Sequence, residues 1–590
     1  MFGAFNPRSG QRNMLLSLGS LTAILFIFYL VRLPSDTHTL DLHTAWGRVV
    51  TTNSAGKNHD NRHPVERLVA QSEAAFKTLT RKQSKTITEA SAEYTRRYGR
   101  RPPPGFDRWF GMAKDHDMVL VDEFDSVMAS LEPFWGVHPK TLHARVEEMS
   151  KAGNLMRLVL NDTGLVNTVG KIHQHFALIQ RVLDPLPWRD VIDEVDFIVS
   201  TMDEPRVSVP AEALELAKSY AKTQKSTIDG KSPEIEPADA DLHVHGFGHE
   251  NIWEWLVDAC RMSDPARTWE ASYEDFNSTN PDLSFVDDRA AIIDPCMDPT
   301  LHHYHSIWTS PSVVSLTKHL VPVFSQARPT RFNDILYPSP FYIERMEDKT
   351  ENKQVDPEID LPWEQKLDRV YWVGTANAGW ATPENWFKLN RQRMTIMTGS
   401  ESPQPVPLLE RTSIVGSEKT TWKAKTGLLW KDISQYFHLR ISRIDWCPNP
   451  SCDVQEAYFH PEREEQNDVL KNKYCLDLDG TSYSGRYYRL LRSSCAVIKQ
   501  TLFNEWHDDW LMPWVHYIPL SPRGYELGEV TRFLIEEPEG REIGRKIADQ
   551  GRSWSKRLLR EEDIGLVILR ILMEYQRIMS LNRDELFYSG

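Results

Sequence analysis

Residues 473–499 constrain the fold more than any other stretch, because they predict one complete strand–helix–strand step. Residues 474–478 are an apolar run of strand length, and Asp479-Gly480 ends it. A loop rich in Thr and Ser then leads into a helix that begins near Gly485, and strand character returns at residues 495–499. Such a step is the building unit of a nucleotide-binding α/β sheet.

The loop of this step carries residue types that bind phosphate. Ser482 and Ser484 are candidate N-caps, and arginines follow at three positions, the last of them Arg492. The start of a helix gathers free backbone N–H groups, and guanidinium groups bind phosphate through paired hydrogen bonds. A basic, solvated helix face behind a turn would have the same sequence. The candidate diphosphate-binding residues are Asp479, Gly480, Thr481, Ser482, Ser484, Arg486 and Arg489.

Two sets of residues raise the question of a metal. Asp477 and Asp479 form a D-x-D pair, which in a strand places both carboxylates on one face and could hold manganese. Because the loop already offers arginines and a helix start, we predict that no metal is required. Two histidine groups could also hold a metal, but their spacing does not fix ligand geometry, and we interpret them as surface or acceptor-groove residues. They are His243, His245, His249, His302, His303 and His305.

A longer motif carries a family resemblance. K-Y-x-x-D-x-D-G-x-x-x-S-x-R at residues 473–486, followed by P-W-V-H-Y-x-P at residues 513–519, resembles the capsule-associated glycosyltransferase family of fungi. That family includes Golgi β-1,2-xylosyltransferases and is related to the protein O-glucosyltransferases of animals. The resemblance extends to R-x-P-P-x-G-F-D-x-W at residues 100–109. It implies a metal-independent enzyme with two Rossmann-like α/β lobes facing a cleft, the GT-B arrangement.

Candidate catalytic carboxylates follow a predicted strand of the first lobe. Residues 156–160, 170–183 and 195–201 predict a strand, a helix and a strand, as in a parallel α/β sheet. Asp203 and Glu204 come directly after the second strand, where the working side chains of α/β sheets lie. The resemblance implies that Asp203 is the catalytic base, with Glu204 as its rival. A turn carboxylate that caps the next helix is the other interpretation.

Residues 368–381 are a second candidate donor-binding segment, predicted as a strand and a glycine/threonine turn. The family motif W-R-G-x-x-x-x-G is similar, and the resemblance implies that its small residues approach the sugar nucleotide. Val373 stands where the family has arginine, so that charge must come from elsewhere, such as Arg391 or Arg393. A purely structural connection would have the same turn. The matching residues are Gly374, Thr375 and Gly379.

The N-terminal sequence predicts a membrane anchor. Residues 1–13 form a polar tail with two arginines, and residues 14–31 are an uncharged apolar run with no convincing cleavage site after it. We therefore predict a single-pass type II membrane protein with its body in the Golgi or ER lumen. A secreted protein with a cleaved signal peptide is the alternative. N-glycosylation triplets at Asn161 and Asn277 agree with a luminal location.

The six cysteines support only a few predictions about disulfide bonds and free thiols. Cys447 and Cys452 flank a proline-bearing turn and predict a local disulfide, whereas Cys475 and Cys495 lie in predicted strands and are predicted to be buried thiols.

Length and charge set the domain organisation and exclude one class of partner. A chain of 590 residues with 40% apolar content can bury more than one core, and its net charge of −14 argues against a nucleic-acid partner. Residues 514–519 predict another strand, and residues 541–559 and 564–579 predict helices, the last returning to the first lobe. The predicted division is tail 1–13, anchor 14–31, stem and helix 32–98, acceptor-side α/β lobe 99–346, linker 347–365, nucleotide-sugar lobe 366–540 and C-terminal helices 541–590.

Together these features predict an inverting glycosyltransferase that uses a UDP-sugar. The resemblance implies xylose from UDP-xylose as the sugar, and a mannose-containing glycan or glycolipid of a capsule or cell wall as the acceptor. A UDP-glucose-dependent protein O-glucosyltransferase is one alternative. A non-catalytic luminal glycan-binding protein is an alternative of another class, and a glycoside hydrolase would need no phosphate loop.

Overall fold

The structure is a computed structural model that describes residues 61–223, 242–270, 283–347, 359–413 and 420–590. The predicted tail and anchor, much of the stem, Asn277 and most of the predicted linker lie outside the described residues. In the part of the chain that is described, no helix is long and apolar enough to cross a membrane.

The first sheet has five strands in the order β2-β1-β3-β6-β7. Strand β1 is antiparallel to both β2 and β3, whereas β3, β6 and β7 run parallel. The strands are β1 Leu155–Asn161, β2 Gly164–Val169, β3 Val195–Ser200, β6 Val323–Ser325 and β7 Ile335–Leu336.

The prediction that the strands at residues 156–160 and 195–201 belong to a parallel sheet was wrong for this pair, because β1 and β3 are antiparallel neighbours. Strand β2 was not predicted from the sequence, and it forms a tight hairpin with β1 through the pair Asn161 and Gly164. The hairpin reverses the chain, so the helix that follows connects β2, not β1, to β3. The parallel pair of this strand–helix–strand unit is therefore β2 and β3, with β1 between them.

The second sheet has five parallel strands in the order β11-β8-β12-β13-β14. Strands β12 and β13, with a short helix between them, confirm the predicted strand–helix–strand step at residues 473–499. Most of these strands are buried on both faces, as is usual for parallel sheets. The strands are β8 Leu367–Ala376, β11 Phe437–Ile444, β12 Asn472–Leu478, β13 Ala496–Gln500 and β14 Ile518–Leu520.

Two small antiparallel pairs lie outside these sheets, β4 His245–Gly246 with β5 Ser315–Leu316, and β9 Leu408–Ser413 with β10 Thr420–Lys425.

Helices surround both sheets. The described α-helices of the N-terminal half are α1 Pro64–Arg81, α2 Ile87–Tyr98, α3 Phe106–Asp115, α4 Asp125–Leu131, α5 Pro139–Met149, α6 Gln174–Leu183, α7 Ala211–Thr223, α8 Trp253–Val257 and α9 Arg289–Ile292. Those of the C-terminal half are α10 Ser306–Thr309, α11 Pro340–Glu347, α12 Asn390–Met397, α13 Ser451–Phe459, α14 Tyr487–Leu491, α15 Leu527–Glu536, α16 Pro538–Leu558 and α17 Glu561–Met579.

The last helix, α17, returns to the first sheet, as expected. Tyr575 donates a hydrogen bond of 3.2 Å to the carbonyl oxygen of Asp196 in β3. The indole of Trp109 in α3 donates one of 2.9 Å to the carbonyl oxygen of Leu566. Because α17 is buried along nearly its whole length, it belongs to the core rather than to a partner surface.

The cysteines follow the prediction in part. Cys447 and Cys452 form the predicted disulfide, and Cys475 and Cys495 are buried free thiols. A second disulfide, Cys260 with Cys296, was not predicted, because 36 residues separate the two cysteines and nothing local pairs them.

Candidate functional site

The candidate site lies at the carboxyl ends of the parallel strands of the second sheet. Strand β12 ends at Leu478, residues 479–486 form a loop, and α14 begins at Tyr487. The loop after β8 and the start of α12 reach the same end of the sheet. This is the position at which open α/β sheets bind their ligands.

Arg391 ties the strand ends of this site together. Its guanidinium donates hydrogen bonds of 2.9 Å to the carbonyl oxygen of Asp479 and of 3.0 Å to that of Thr375. A Cβ on Gly480 would lie 3.1 Å from Arg391 Nη2, so a larger residue there would push the guanidinium slightly out of its position. Of the two arginines considered as replacements for the family arginine at Val373, Arg391 is the one at the loop. Arg393 instead donates to the carbonyl oxygens of Pro522 and Arg523.

The two serines of the loop do not cap the helix, so that prediction was wrong. The N-cap position of α14 is Arg486, and no side chain caps it. Ser484 donates a hydrogen bond of 2.5 Å to Asp477, whose other oxygen lies 3.3 Å from Lys499 Nζ. Within the described residues, the hydroxyl of Ser482 has no hydrogen-bond partner. Helix α14 spans five residues, so its dipole contributes less positive potential than the sequence suggested.

Arg486 at the end of the loop and Arg489 in α14 line the same cavity. Arg486 donates a hydrogen bond of 2.9 Å to the carbonyl oxygen of Val373, and Arg489 donates to Asn467 at 2.5 Å. Both line a cavity of about 460 Å³, which Tyr371 and Glu464 also line. Arg486 therefore lies beside Val373 of β8 as well as at the end of the loop.

The glycines near β8 have different roles from those expected. Gly374 and Thr375 lie within β8 rather than in a turn, since the strand continues to Ala376. A Cβ on Gly374 would lie 2.7 Å from the Trp372 ring, so packing requires the glycine. Gly379 lies in the loop beyond the strand.

Gly379 is where the second sheet meets the segment around α10. A Cβ on Gly379 would lie 2.4 Å from Ser306 Cβ and 2.6 Å from the carbonyl oxygen of Ser310. The next residue, Trp380, donates its backbone N–H to that same oxygen at 2.9 Å. The glycine therefore permits a close backbone approach between two parts of the chain.

Asp203 and Glu204 follow β3, as predicted, but their surroundings differ. Asp203 is exposed, whereas Glu204 is 5% exposed and accepts a hydrogen bond of 2.9 Å from Ser312. Burial, and next the Asp203 charge, raise the pKa of Glu204 to about 7, while hydrogen bonds from Ser312 and Thr481 oppose that rise.

The structure brings these carboxylates to the loop of the second sheet. Thr481 interacts with Glu204 through a side-chain hydrogen bond. Burial, and next the negative charge of Asp203, raise the pKa of Tyr483. Tyr483 also hydrogen-bonds to Gln326, which follows β6 of the first sheet. The carboxyl ends of strands from the two sheets thus face each other, with Asp203 and residues 481–483 between them.

Three of the four carboxylate oxygens of the D-x-D pair have protein partners, and among the described residues Asp479 Oδ1 has no hydrogen-bond partner. Both oxygens of Asp477 are occupied by Ser484 and the Lys499 ammonium, and Asp479 Oδ2 accepts the backbone N–H of Leu502 at 2.8 Å. Burial raises the pKa of Asp479 to about 7, against the opposing effect of Lys499. Among the described residues, the one potential three-ligand group is Cys260, Asp264 and Cys296, whose thiols form a disulfide.

The sequence was interpreted as placing His305 on the surface or in the acceptor groove, but His305 is buried beside the loop. Its Nδ1 accepts the backbone N–H of Ile307 at 3.1 Å, and its Nε2 lies 3.6 Å from Asp479 Oδ2. Burial, and next the Arg391 charge, lower the pKa of His305 to about 3, so the ring is neutral at physiological pH. The histidine-rich segment was the one feature of the sequence that drew attention to His305, and it did not indicate that Asp479 would be its neighbour.

Comparison with known proteins agrees with this geometry. Residues 306–585, from α10 to beyond α17, match the family model described as glycosyl transferase family 90. The matched segment covers a little under half of the 590-residue chain. It includes the loop at residues 479–486 and Arg391, whereas Asp203 and Glu204 precede it.

Several proteins resemble the chain. Protein O-glucosyltransferase 1 of Homo sapiens is 23% identical over 293 residues, which cover 46% of this chain and 61% of the human protein. Protein O-glucosyltransferase 3 of Mus musculus is 30% identical over 109 residues, covering 18% and 21%. O-glucosyltransferase rumi of Drosophila pseudoobscura pseudoobscura is 30% identical over 118 residues, covering 19% and 28%. The chain thus spans less than two thirds of the length of each of these relatives.

Proposed function

We propose that the protein is an inverting glycosyltransferase that moves a sugar from a UDP-sugar to a hydroxyl group of an acceptor. The observation that carries the proposal is the juxtaposition of Asp203 with residues 481–483 at the carboxyl ends of the two sheets. In a chain of which residues 306–585 match the family 90 model, that arrangement supports an acceptor-side carboxylate facing a donor-side loop. We assign the two sheets to the two lobes of a GT-B enzyme.

The donor lies between the two lobes in this proposal. Its diphosphate occupies the loop from Thr481 to Arg486, and the guanidinium of Arg486 stabilises the charge on the departing phosphate. Arg391 acts indirectly, since its hydrogen bonds to Thr375 and Asp479 hold the strand ends that shape the loop. Of the small residues expected to contact the donor, Gly480 lies in this loop and Thr375 is tied to it through Arg391, whereas Gly374 packs against the Trp372 ring and Gly379 against the segment around α10.

Asp203 acts as the general base. It takes the proton from the acceptor hydroxyl as the oxygen attacks the anomeric carbon, and the bond from that carbon to the phosphate oxygen breaks. UDP leaves with the bonding electron pair, so no covalent enzyme intermediate forms. Asp203 is favoured over Glu204 because it is exposed to an incoming acceptor, whereas Glu204 is buried between Ser312 and Thr481.

Two UDP-sugars are candidates for the donor substrate. The names of the similar animal proteins favour UDP-glucose and a protein hydroxyl as acceptor. The motif at residues 473–486 resembles xylosyltransferases and favours UDP-xylose with a mannose-containing glycan. We place UDP-glucose first, because it has the support of several relatives over longer stretches of the chain.

The cellular location is part of the proposal. Two disulfides in the described residues favour an oxidising compartment, such as the ER or Golgi lumen. A type II anchor at residues 14–31 would place the catalytic body there.

A donor screen tests the proposed function. The full-length protein is incubated with UDP-glucose, UDP-xylose and other UDP-sugars, with protein and mannoside acceptors, and transfer is measured by mass spectrometry. Transfer from one UDP-sugar, with inversion at the anomeric carbon in the product, is the expected result. Absence of UDP binding by calorimetry would overturn the proposal. Failure of every UDP-sugar to donate its sugar would contradict the transferase activity and favour a non-catalytic glycan-binding protein.

A further inference from the structure

The β1–β2 hairpin presents an Asn-Asp-Thr triplet at its tip. Asn161 pairs with Gly164, so Asp162 and Thr163 form a two-residue turn, and both are exposed. The side-chain oxygen of Asn161 accepts hydrogen bonds from the Thr163 backbone N–H at 3.0 Å and from its hydroxyl at 2.6 Å. Both bonds engage the side-chain oxygen of Asn161, and none of the hydrogen bonds among the described residues is donated by its amide nitrogen.

The tip is held in place and lies far from the proposed catalytic carboxylate. Arg189 donates a hydrogen bond of 3.2 Å to the carbonyl oxygen of Asp162, which anchors the turn to the body. At the other end of β1, Leu155 pairs with Ser200, the last residue before the segment that carries Asp203. A strand of this length separates the two ends by about 20 Å. A bulky group on Asn161 would therefore leave Asp203 accessible.

Strand β2 is the outermost strand of the first sheet, and it exposes apolar side chains. Val166 and Val169 are 42% and 37% exposed, and Ile172 just beyond the strand is 70% exposed. An open edge strand with apolar residues is a template for pairing with another chain, unless something covers it. Neither a charged gatekeeper nor a proline lies within β2.

We propose that Asn161 carries an N-linked oligosaccharide, and that this glycan covers the open edge of the first sheet. Asn-x-Thr with a residue other than proline in the middle is the acceptor triplet, and here it stands on an exposed hairpin tip. The co-reactant is a lipid-pyrophosphate-linked oligosaccharide, delivered by the oligosaccharyltransferase of the secretory pathway. A bond forms between Asn161 Nδ2 and the anomeric carbon, the bond from that carbon to the pyrophosphate breaks, and the amide loses one proton.

Glycopeptide mapping tests the modification. The full-length chain is produced in eukaryotic cells and deglycosylated by an amidase in heavy-oxygen water, which marks each formerly glycosylated Asn as labelled Asp. We expect the label on Asn161 in the unmodified sequence and in Thr163→Ser, and its loss in Asn161→Gln and Thr163→Ala. Asn167→Gln on the same hairpin is the matched control and should keep the label. An unlabelled Asn161 overturns the proposal, including the case in which only Asn277 is labelled.

Light scattering tests the shielding. Purified Asn161→Gln protein should self-associate several-fold more than the unmodified sequence, and the added change Val166→Lys should restore dispersion by placing a charge on the edge strand. Thr163→Ser, which keeps the glycan, should behave as the unmodified sequence does. If Asn161→Gln stays as monodisperse as the unmodified sequence, the glycan does not cover the edge. Sugar transfer to acceptor, measured in parallel, should be unchanged in every variant of this set.

Discussion

Ser312 donates a hydrogen bond of 2.9 Å to Glu204, and that carboxylate also interacts with Thr481 of the second sheet's loop. Glu204 is thus occupied by two hydroxyl groups and is buried. The neighbouring Asp203 is exposed at the same place. The pair divides into a carboxylate that joins the two sheets and one that can meet an acceptor.

We expect Asp203→Asn to lower kcat by about 10²- to 10⁴-fold, the usual contribution of a positioned general base. The amide keeps the size of the side chain but cannot accept the acceptor proton, so UDP affinity measured by calorimetry should stay the same. Glu204→Gln is the matched variant, because the same change is made one residue later. Retained turnover in Asp203→Asn, with a loss in Glu204→Gln instead, would reverse the assignment of the base.

Much of the second sheet follows from its sequence. The run at residues 474–478, the break at Asp479-Gly480 and the run at residues 495–499 each became the predicted element. Apolar runs bounded by turn residues are read correctly because a parallel strand is buried on both faces and leaves no alternating pattern to interpret. The apolar stripe of α17 predicted a buried helix, whereas its return to the first sheet was expected from the usual architecture of two-lobed transferases.

The errors have a common physical origin, which is contact between segments far apart in the chain. Ser484 is a poor cap because Asp477, set in place by Lys499, takes its hydroxyl. Gly374 is required by the Trp372 ring rather than by a turn, and Gly379 is required by the segment around α10. None of these partners can be inferred from local propensity, and the same is true of the disulfide between Cys260 and Cys296.

Arg486→Ala should weaken UDP binding about tenfold, which corresponds to roughly 1.4 kcal/mol. The guanidinium lies at the end of the loop and beside the end of β8, where it would meet the diphosphate in the proposed complex. Isothermal titration calorimetry with UDP measures the change. Arg492→Ala is the matched control, because Arg492 donates to the carbonyl oxygen of Leu559 and is directed toward α16. Equal affinities for UDP in Arg486→Ala and the unmodified protein would contradict the assignment.

Gly379→Ala should lower the free energy of unfolding by about 1–3 kcal/mol, the usual cost of overpacking. The added methyl would lie 2.4 Å from Ser306 Cβ and 2.6 Å from a backbone oxygen, neither of which can move freely. Chemical denaturation measures the loss. Gly111→Ala in α3 is the control, since its Cβ would meet nothing within 4 Å, and alanine in a helix should be neutral or stabilising. A Gly379→Ala protein as stable as Gly111→Ala would show that the loop can shift.

Stability should depend on pH through Glu204, and the direction follows from its raised pKa. The carboxyl has an ordinary pKa of 4.5 and a folded pKa of about 7, so the folded state binds the proton more tightly. Between these values the folded state holds more protons than the unfolded state, and stability falls as pH rises. Glu204→Gln cannot lose a proton, so this contribution to the slope should disappear.

The variant should therefore match the unmodified protein near pH 5 and exceed its free energy of unfolding by roughly 1–3 kcal/mol at pH 8. Denaturant titrations at a series of pH values measure the difference. Asp479 and Glu505, whose pKa values burial also raises to about 7, contribute to the same window in both proteins and cancel in the comparison. Glu254→Gln, an exposed carboxylate in α8, is the control and should leave the pH dependence as it is. If the gap between Glu204→Gln and the unmodified protein is constant from pH 5 to pH 8, then Glu204 does not titrate in this window.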